Sequence, residues 1–128
     1  MHKSILLVDD DPDDQFIFID VLSEIEPGIT CIIANNGLEA LDQLNHAQSL
    51  PSLIFLDLNM PLMNGFECLE RIRMEDDFKQ IPIIIFTTSR NLADKQRTQK
   101  LGAESFLTKT PDFKSMKIKL DEILKGRF

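Results

Sequence analysis

The sequence lacks several features that define whole classes of protein. Only two of its 128 residues are cysteines and two are histidines, with no CxxC pair or cysteine–histidine cluster. This excludes a zinc site by spacing, and we expect Cys31 and Cys68, both in apolar segments, to be buried reduced thiols. No apolar run approaches the ~20 residues of a membrane-spanning helix, and no signal-peptide-like segment precedes the first strand. We therefore expect a cytoplasmic protein without a membrane partner.

Basic residues are scarce in the first two thirds of the chain. The net charge is -7, and residues 1–89 contain 4 Lys/Arg against 16 Asp/Glu, a net of -12. Residues 90–128 contain 10 Lys/Arg against 5 Asp/Glu, a net of +5. Because phosphate backbones select basic surfaces, the overall acidity argues against a nucleic-acid partner. We expect acidic chemistry early in the chain and a basic surface late.

Short apolar runs recur along the chain, and a helical segment follows each of them. Runs of Ile, Leu, Val and Phe without alternation are typical of strands buried on both faces of a parallel sheet. Strands that alternate with helices imply right-handed crossovers, which place helices on both faces. At 128 residues, with 43% hydrophobic residues, the chain (1–128) is expected to form one doubly wound α/β domain. The predicted strands lie near residues 4–8, 29–34, 52–57, 82–87 and 104–108.

Turn residues mark the ends of several predicted helices. Asp11 before Pro12 offers an N-cap followed by proline at the first helical position. Asn-Gly pairs at 36–37 and 64–65 begin the second and third helices. Gly102 ends the fourth, as expected for a residue in the left-handed conformation just past a helix.

Two helices carry unusual surfaces. On the first helix, roughly 12–25, Phe16 and Ile19 fall opposite the predicted core side. They mark either a partner surface or scattered surface hydrophobes, which are common. The fourth helix has only Leu92 and Ala93 as apolar residues before Leu101, so it is either thinly packed and mobile, as a switch element requires, or an ordinary surface helix. The predicted core side of the first helix consists of Ile17, Phe18, Val21, Leu22 and Ile25.

Charged or hydroxyl side chains stand at the ends of four predicted strands. They are Asp9 and Asp10 after the first, Asp57 at the third, Thr87 at the fourth and Lys109 after the fifth. Ligand sites of parallel α/β sheets lie at the carboxyl ends of strands, and the first strand beside the third brings the three carboxylates together. Such a cluster needs a cation, because like charges raise each other's pKa. Oxygen ligands without histidine or cysteine favour Mg²⁺.

The formal charges of this predicted site sum to zero. The three carboxylates contribute -3, Mg²⁺ contributes +2 and Lys109 contributes +1. A phosphoryl group on Asp57 would change the sum to about -1 and attract Lys109 and Thr87 more strongly. Phosphoryl transfer needs mainly positioning and charge neutralisation, and aspartyl phosphates are an established covalent intermediate.

Four motifs occur in order along the chain, at the ends of the first, third, fourth and fifth predicted strands. They are Val8-Asp9-Asp10-Asp11, Leu56-Asp57-Leu58-Asn59-Met60-Pro61 with Asn64-Gly65, Pro82 to Thr87, and Leu101-Gly102-Ala103 leading to Phe106-Leu107-Thr108-Lys109. Each is weak alone, but together they resemble the receiver domain of bacterial two-component response regulators, over the whole chain. The resemblance implies a flavodoxin-like (βα)5 fold with strand order 2-1-3-4-5. In its single domain the chain resembles stand-alone regulators.

The resemblance also implies roles for individual residues. Asp57 would be the phosphoacceptor, and Lys109 would bind the phosphoryl group. Mg²⁺ would be held directly by Asp10 and Asp57, by Asp9 largely through water, and by the backbone carbonyl of Asn59. Self-phosphorylation and autodephosphorylation at Asp57 would need Mg²⁺, although the protein would be a signalling switch and not an enzyme.

Switching and partners follow from the same resemblance. Thr87 would shift toward the phosphoryl group while Phe106 turns inward, altering the face made by the fourth helix, fifth strand and fifth helix. The phosphoryl donor would be a sensor histidine kinase or histidine phosphotransfer protein, docking where Phe16 and Ile19 project. The output would be binding of an unknown downstream protein, or passing the phosphate on, by a monomer or a phosphorylation-dependent dimer.

Three positions depart from the family pattern. Thr88 stands where a very small residue is usual, which could narrow phosphoryl access. Thr110 replaces the usual cis proline after Lys109. A cis Lys109-Thr110 bond would cost ~3 kcal/mol, so either the surrounding structure holds it cis, which we expect, or the loop is trans and rebuilt. Phe106 has no hydroxyl to secure a buried position.

Three alternatives remain. A phosphatase of the haloacid dehalogenase type would want a second acid two residues after Asp57, where Asn59 stands. A flavodoxin relative would want a Ser/Thr/Gly-rich phosphate loop after the first strand, where three aspartates repel phosphate. A phosphorylation-independent receiver-like interaction module would be expected to lack a site residue, and none is lacking.

Overall fold

Five parallel strands form one sheet in the order β2-β1-β3-β4-β5, as predicted. The computed structural model describes residues 3–128; Met1 and His2, included in the predicted domain, lie outside the described residues. Each strand is followed by a helix, which confirms the doubly wound α/β fold. The elements are β1 (Ser4–Val8), α1 (Pro12–Ile25), β2 (Thr30–Ala34), α2 (Gly37–His46), β3 (Leu53–Leu56), α3 (Gly65–Met74), β4 (Ile83–Thr87), α4 (Leu92–Lys100), β5 (Ser105–Thr108) and α5 (Phe113–Leu124).

The three central strands are buried on both faces because helices cover both sides of the sheet. Successive side chains of each strand point to opposite sides and so enter different cores. Along β1, Ile5 and Leu7 pack with α1 and α5, whereas Leu6 and Val8 pack with α2 and α3. The α1 side also holds an aromatic cluster in which Phe18 lies 4.9 Å from Phe55 and 5.6 Å from Phe86, between ring centroids. These two cores fix the positions at which the strands end.

The predicted turn residues cap the helices. Asp11 accepts a hydrogen bond from the Asp13 backbone N–H at 2.9 Å, and Pro12 is the first residue of α1. Asn64 forms a reciprocal capping box with Glu67 at the start of α3. Gly102 has φ +107°, the left-handed conformation expected after α4. Local sequence therefore sets where these helices begin and end.

The fourth helix is packed thinly. Its buried residues comprise Thr98 alone, and Leu92 is 65% exposed. The Arg97 guanidinium lies 4.0 Å from the ring centroid of Phe66 on α3. With so little apolar burial, α4 has few contacts opposing its displacement.

One backbone expectation was wrong. The Lys109-Thr110 bond is trans, like every other peptide bond between residues 3 and 128. Thr110 has no proline ring to lower the cost of a cis bond, and proline follows only at 111. The loop is thus the rebuilt trans form.

Both cysteines are free thiols, as predicted. Cys68 is buried as expected, but Cys31 is only half-buried, which departs from the prediction. Burial raises the pKa of each thiol to about 12, so both are protonated at neutral pH. Across residues 3–128, no helix is long and apolar enough to cross a membrane.

Candidate functional site

Three carboxylates meet at the carboxyl ends of β1 and β3. The ladder continues one residue beyond each strand, since Asp9 N donates to Ala34 O and Asp57 N donates to Val8 O, both at 3.0 Å. Asp9 and Asp57 are thereby buried, whereas Asp10 is exposed. Oxygen atoms of the three side chains lie within 4.8 Å of one another. The strand-end pattern in the sequence thus produces a compact acidic cluster.

The cluster fits a hard divalent cation. Asp9 Oδ2 is buried and, apart from the nearby Lys109 ammonium, has no hydrogen-bond partner among the described residues. Asp10 and Asn59 line an open groove beside it, which gives access from solvent. Three carboxylates, two of them buried, beside a single ammonium keep an excess of negative charge, and their oxygen atoms are a donor set suited to such a cation.

Lys109 compensates part of this negative charge. Its Nζ lies 2.7 Å from Asp9 Oδ2, 2.8 Å from Asp14 Oδ2 and 3.0 Å from Asp57 Oδ2, and its side chain is 7% exposed. Burial lowers the pKa of Lys109, but hydrogen bonds with Asp14 and Asp9 and the charge of Asp57 outweigh it, so the pKa lies above its usual value. Lys109 is therefore a fixed cation at the site.

The Asp57 carboxylate is oriented by the loop that follows β3. Its Oδ1 accepts hydrogen bonds from Leu58 N at 2.7 Å and Asn59 N at 3.4 Å, while Oδ2 faces Lys109. Gly65 N donates to Leu58 O at 2.9 Å, and a Cβ on Gly65 would lie 2.2 Å from Asp57 O. The start of α3 therefore rests directly on the Asp57 backbone, which glycine alone permits.

Thr87 ends β4 fully buried and is linked to the loop beyond it. The Ser89 backbone N–H donates to Thr87 Oγ1 at 3.4 Å, and the Ser89 hydroxyl donates to Asp94 on α4 at 2.8 Å. Thr88 is exposed, and Phe106 on β5 is half-buried. A displacement of Thr87 would thus disturb contacts that reach α4.

Sequence reasoning missed the contribution of Asp14, which it attributed to the helix dipole. Asp14 does lie in the first turn of α1, but its carboxylate also binds Lys109. The available signal was the spacing of Asp14 and Phe18: residues four apart share a helix face, and Phe18 was predicted to face the core. Asp14 therefore points to the sheet edge.

The buried Asp9 charge predicts a pH dependence of stability. Burial raises the pKa of Asp9 from 3.8 to about 6, despite opposing hydrogen bonds from Lys109 and the Asp11 backbone. The folded state then binds more protons than the unfolded chain between about pH 4 and pH 6, so stability falls as pH rises through that window. In metal-free buffer, the contribution of Asp9 to the free energy of unfolding should therefore drop by on the order of 2–3 kcal/mol between about pH 4 and pH 6.

Urea denaturation at several pH values with EDTA measures this effect. Asp9→Asn retains an acceptor for Asp11 N but carries no charge, so it should lose this part of the pH dependence and be more stable than wild type at pH 7.5. If the stability of Asp9→Asn kept the wild-type dependence on pH, that dependence would have to come from a group other than Asp9.

The exposed apolar residues of α1 lie where the sequence placed them. Phe16 is 69% exposed and Ile19 is 40% exposed, while Phe18, Val21 and Leu22 of the same helix are buried. The structure thus leaves Phe16 and Ile19 accessible on the outer side of α1.

Comparison with known proteins agrees with the geometry. Residues 5–121 match the response regulator receiver domain. Response regulator Rcp1 of Synechocystis sp. is 34% identical over 119 residues, which are 89% of this chain and 81% of Rcp1. Sensor histidine kinase CheAY of Helicobacter pylori is 32% identical over 105 residues, which are 82% of this chain but 13% of CheAY.

Solved structures are similar over nearly the whole chain. The phosphorylated cyanobacterial phytochrome response regulator RcpA gives a TM-score of 0.90 at 28% identity, covering 98% of this chain and 93% of RcpA. The Mn²⁺-bound form of Rcp1 gives a TM-score of 0.87 at 32% identity, covering 97% of this chain and 93% of the Rcp1 chain. One relative has thus been seen phosphorylated and another with a divalent metal.

Proposed function

The chain belongs to the response regulator receiver domain family and functions in phosphorelay signalling, and we propose that Asp57 is its phosphoacceptor. The observation that carries this assignment is the convergence of Asp9, Asp10 and Lys109 on Asp57 at one sheet edge. Asp57 is buried, and the backbone N–H groups of Leu58 and Asn59 hold its carboxylate in place. A phosphorylation-independent interaction module would not need this arrangement.

In the proposed reaction an oxygen of the Asp57 carboxylate attacks phosphorus. The bond from phosphorus to the donor's leaving atom breaks, and the leaving atom keeps the bonding electron pair. On a histidine donor that atom is an imidazole nitrogen, and on acetyl phosphate it is an oxygen. Lys109 neutralises charge on the phosphoryl oxygens, and the backbone N–H groups of Leu58 and Asn59 hold the nucleophile in place.

We propose Mg²⁺ as the divalent cation. The side chains of Asp10 and Asp57 and the backbone carbonyl of Asn59 would bind it directly, with Asp9 acting largely through water. When bound, Mg²⁺ supplies charge neutralisation for the transferring group. The same set would support self-phosphorylation from small phosphodonors and autodephosphorylation, with Thr88 at the exposed rim slowing access.

The signal would leave the site through Thr87 and Phe106. A hydroxyl shift toward the phosphoryl group would break the Ser89–Thr87 hydrogen bond, and Ser89 also binds Asp94 of α4 and accepts from Thr108 of β5. Phe106 packs against the core that lies between the sheet and helices α2 and α3, and it would turn inward as the Thr87 hydroxyl moves. The face made by α4, β5 and α5 is the proposed output surface for a downstream protein.

The donor is proposed to be a sensor histidine kinase or a histidine phosphotransfer protein that docks on Phe16 and Ile19. The test uses a kinase that phosphorylates the wild-type protein. Phe16→Ala should slow phosphoryl transfer from this kinase by about tenfold, since exposed aromatic anchors carry much of an interface's binding energy. The rate from acetyl phosphate should be unchanged, because Phe16 does not contact the site.

Gel-based transfer kinetics measure this difference. Leu92→Ala is the matched control, because Leu92 is comparably exposed at 65% but lies on α4. Unchanged kinase transfer in Phe16→Ala would contradict docking at this position.

The proposed function itself is tested by phosphoryl incorporation from acetyl phosphate. Intact mass should increase by one phosphoryl group with Mg²⁺ and remain unchanged with EDTA. Equal incorporation under both conditions would contradict the metal-assisted mechanism.

A further inference from the structure

We infer that Asp14 is a positioning residue for Lys109, holding its ammonium in place while the other two carboxylates take part in metal binding and phosphoryl transfer. The inference rests on the proposed function of Asp57. It extends the site from the sheet edge to the first turn of α1. The geometry of three residues, Lys109, Asp14 and Phe18, carries it.

The position of Asp14 on α1 directs it toward the site. Phe18, four residues later, is fully buried against Phe55 and Phe86. Residues four apart lie above one another on the same helix face, so the packing of Phe18 also turns Asp14 inward. Asp13 offers the helix N-terminus the same charge, yet it is exposed and forms no ion pair within residues 3–128.

The ammonium of Lys109 has three N–H donors, and three carboxylates surround it. Asp14 Oδ2 lies 2.8 Å from Nζ, as near as the contacts from Asp9 and Asp57. The group of carboxylates that could hold a metal comprises Asp9, Asp10 and Asp57, and Asp14 is outside it. When Asp9 takes part in metal binding and Asp57 carries the phosphoryl group, Asp14 is the carboxylate that remains paired with Lys109.

Lys109 needs such an anchor because its stem is long and flexible. The Phe86 ring also lies beside the ammonium, with its centroid 5.5 Å from Nζ. An ammonium held only over a ring has weak directional preference compared with a charge-assisted hydrogen bond. Asp14 therefore fixes the direction from which the ammonium meets the phosphoryl oxygens.

A purely electrostatic role for Asp14 predicts a change in the phosphorylation rate of the opposite sign. If it merely added negative charge, neutralising it would reduce repulsion of an anionic phosphodonor and accelerate phosphorylation. If it positions Lys109, neutralising it slows phosphorylation. The sign of the rate change therefore distinguishes the two roles.

The experiment measures the rate of phosphoryl incorporation from acetyl phosphate at saturating Mg²⁺ by intact mass. Asp14→Asn should be slower than wild type by about tenfold, the loss expected from weakening one charge-assisted hydrogen bond in the transition state. Asp14→Glu should recover part of the rate, since it restores the charge. Asp13→Asn is the matched control on the same helix turn and should remain within about twofold of wild type.

Urea denaturation establishes that each variant is folded. NMR of labelled lysine side chains reports the Lys109 ammonium directly, and its signal should shift in Asp14→Asn and not in Asp13→Asn. Asp14→Asn phosphorylated as fast as wild type, or faster, would overturn the positioning role and leave the proposed function intact. Wild type that takes up no phosphoryl group would overturn both.

Discussion

Replacing Lys109 with methionine is expected to slow phosphoryl transfer to Asp57 by about 100-fold or more. The ammonium is the cationic side chain that contacts Asp57, at 3.0 Å. Without it, charge on the transferring phosphoryl group is neutralised by the metal alone. Intact-mass kinetics with acetyl phosphate and Mg²⁺ measure the loss.

The same substitution should destabilise the metal-free fold by about 3 kcal/mol, because removing one partner of a buried ion pair leaves the opposing charges uncompensated. Asp9 and Asp57, both buried, would face Asp14 with no cation between them. Mg²⁺ should restore part of the stability by supplying positive charge.

Lys117→Met is the control for Lys109→Met. Lys117 pairs with Glu24 at 3.0 Å, but both side chains are more than 40% exposed, so its loss should cost less than about 1 kcal/mol. If Lys109→Met behaved like Lys117→Met in both stability and phosphorylation, Lys109 would have no special place at the site.

Replacing Gly65 with alanine is expected to cost about 3 kcal/mol of stability and to slow phosphorylation by about tenfold. The added Cβ would lie 2.2 Å from Asp57 O and 2.6 Å from Leu58 Cα. Both are backbone atoms, so the start of α3 must move away from the strand end. That movement shifts the loop that orients the Asp57 carboxylate.

Gly28→Ala is the matched control, because a Cβ on Gly28 would meet no atom within 4 Å beyond its chain neighbours, and the φ of Gly28 is not left-handed. It should leave stability unchanged or raise it slightly. Urea denaturation and acetyl phosphate kinetics on both variants measure the effect. A Gly65→Ala protein as stable and as reactive as Gly28→Ala would show that the close approach is unimportant.

The fold could be predicted from the sequence because several local signals agree. Unbroken apolar runs indicated the strands, and the N-caps Asp11, Asn36 and Asn64 indicated the starts of three helices. The predicted strands exceeded β2, β4 and β5 by one residue at the start and β3 by one residue at each end. Most of the extra residues, among them Asp57, Pro82 and Glu104, extend the hydrogen-bonded ladder without being strand residues.

Features that depend on distant contacts could not be predicted. The ion pair between Asp14 and Lys109 joins residues 95 positions apart in the sequence. The helix dipole was a sufficient reason for an acidic residue at position 14, so there was no reason to look for a distant partner. The left-handed Leu62, with φ 69°, lies in a tight turn where Met63 N donates to Pro61 O, and leucine gives no signal for that conformation. The trans Lys109-Thr110 bond, by contrast, agrees with the local sequence, since Thr110 lacks the proline ring that lowers the cost of a cis bond.

The most direct test of the account is intact-mass analysis of wild type and Asp57→Asn after incubation with acetyl phosphate and Mg²⁺. Asparagine preserves the shape of the side chain and the acceptor for Leu58 N but removes the carboxylate nucleophile. Wild type should gain one phosphoryl group and Asp57→Asn none. Undiminished labelling of Asp57→Asn would contradict the assignment of Asp57 as phosphoacceptor.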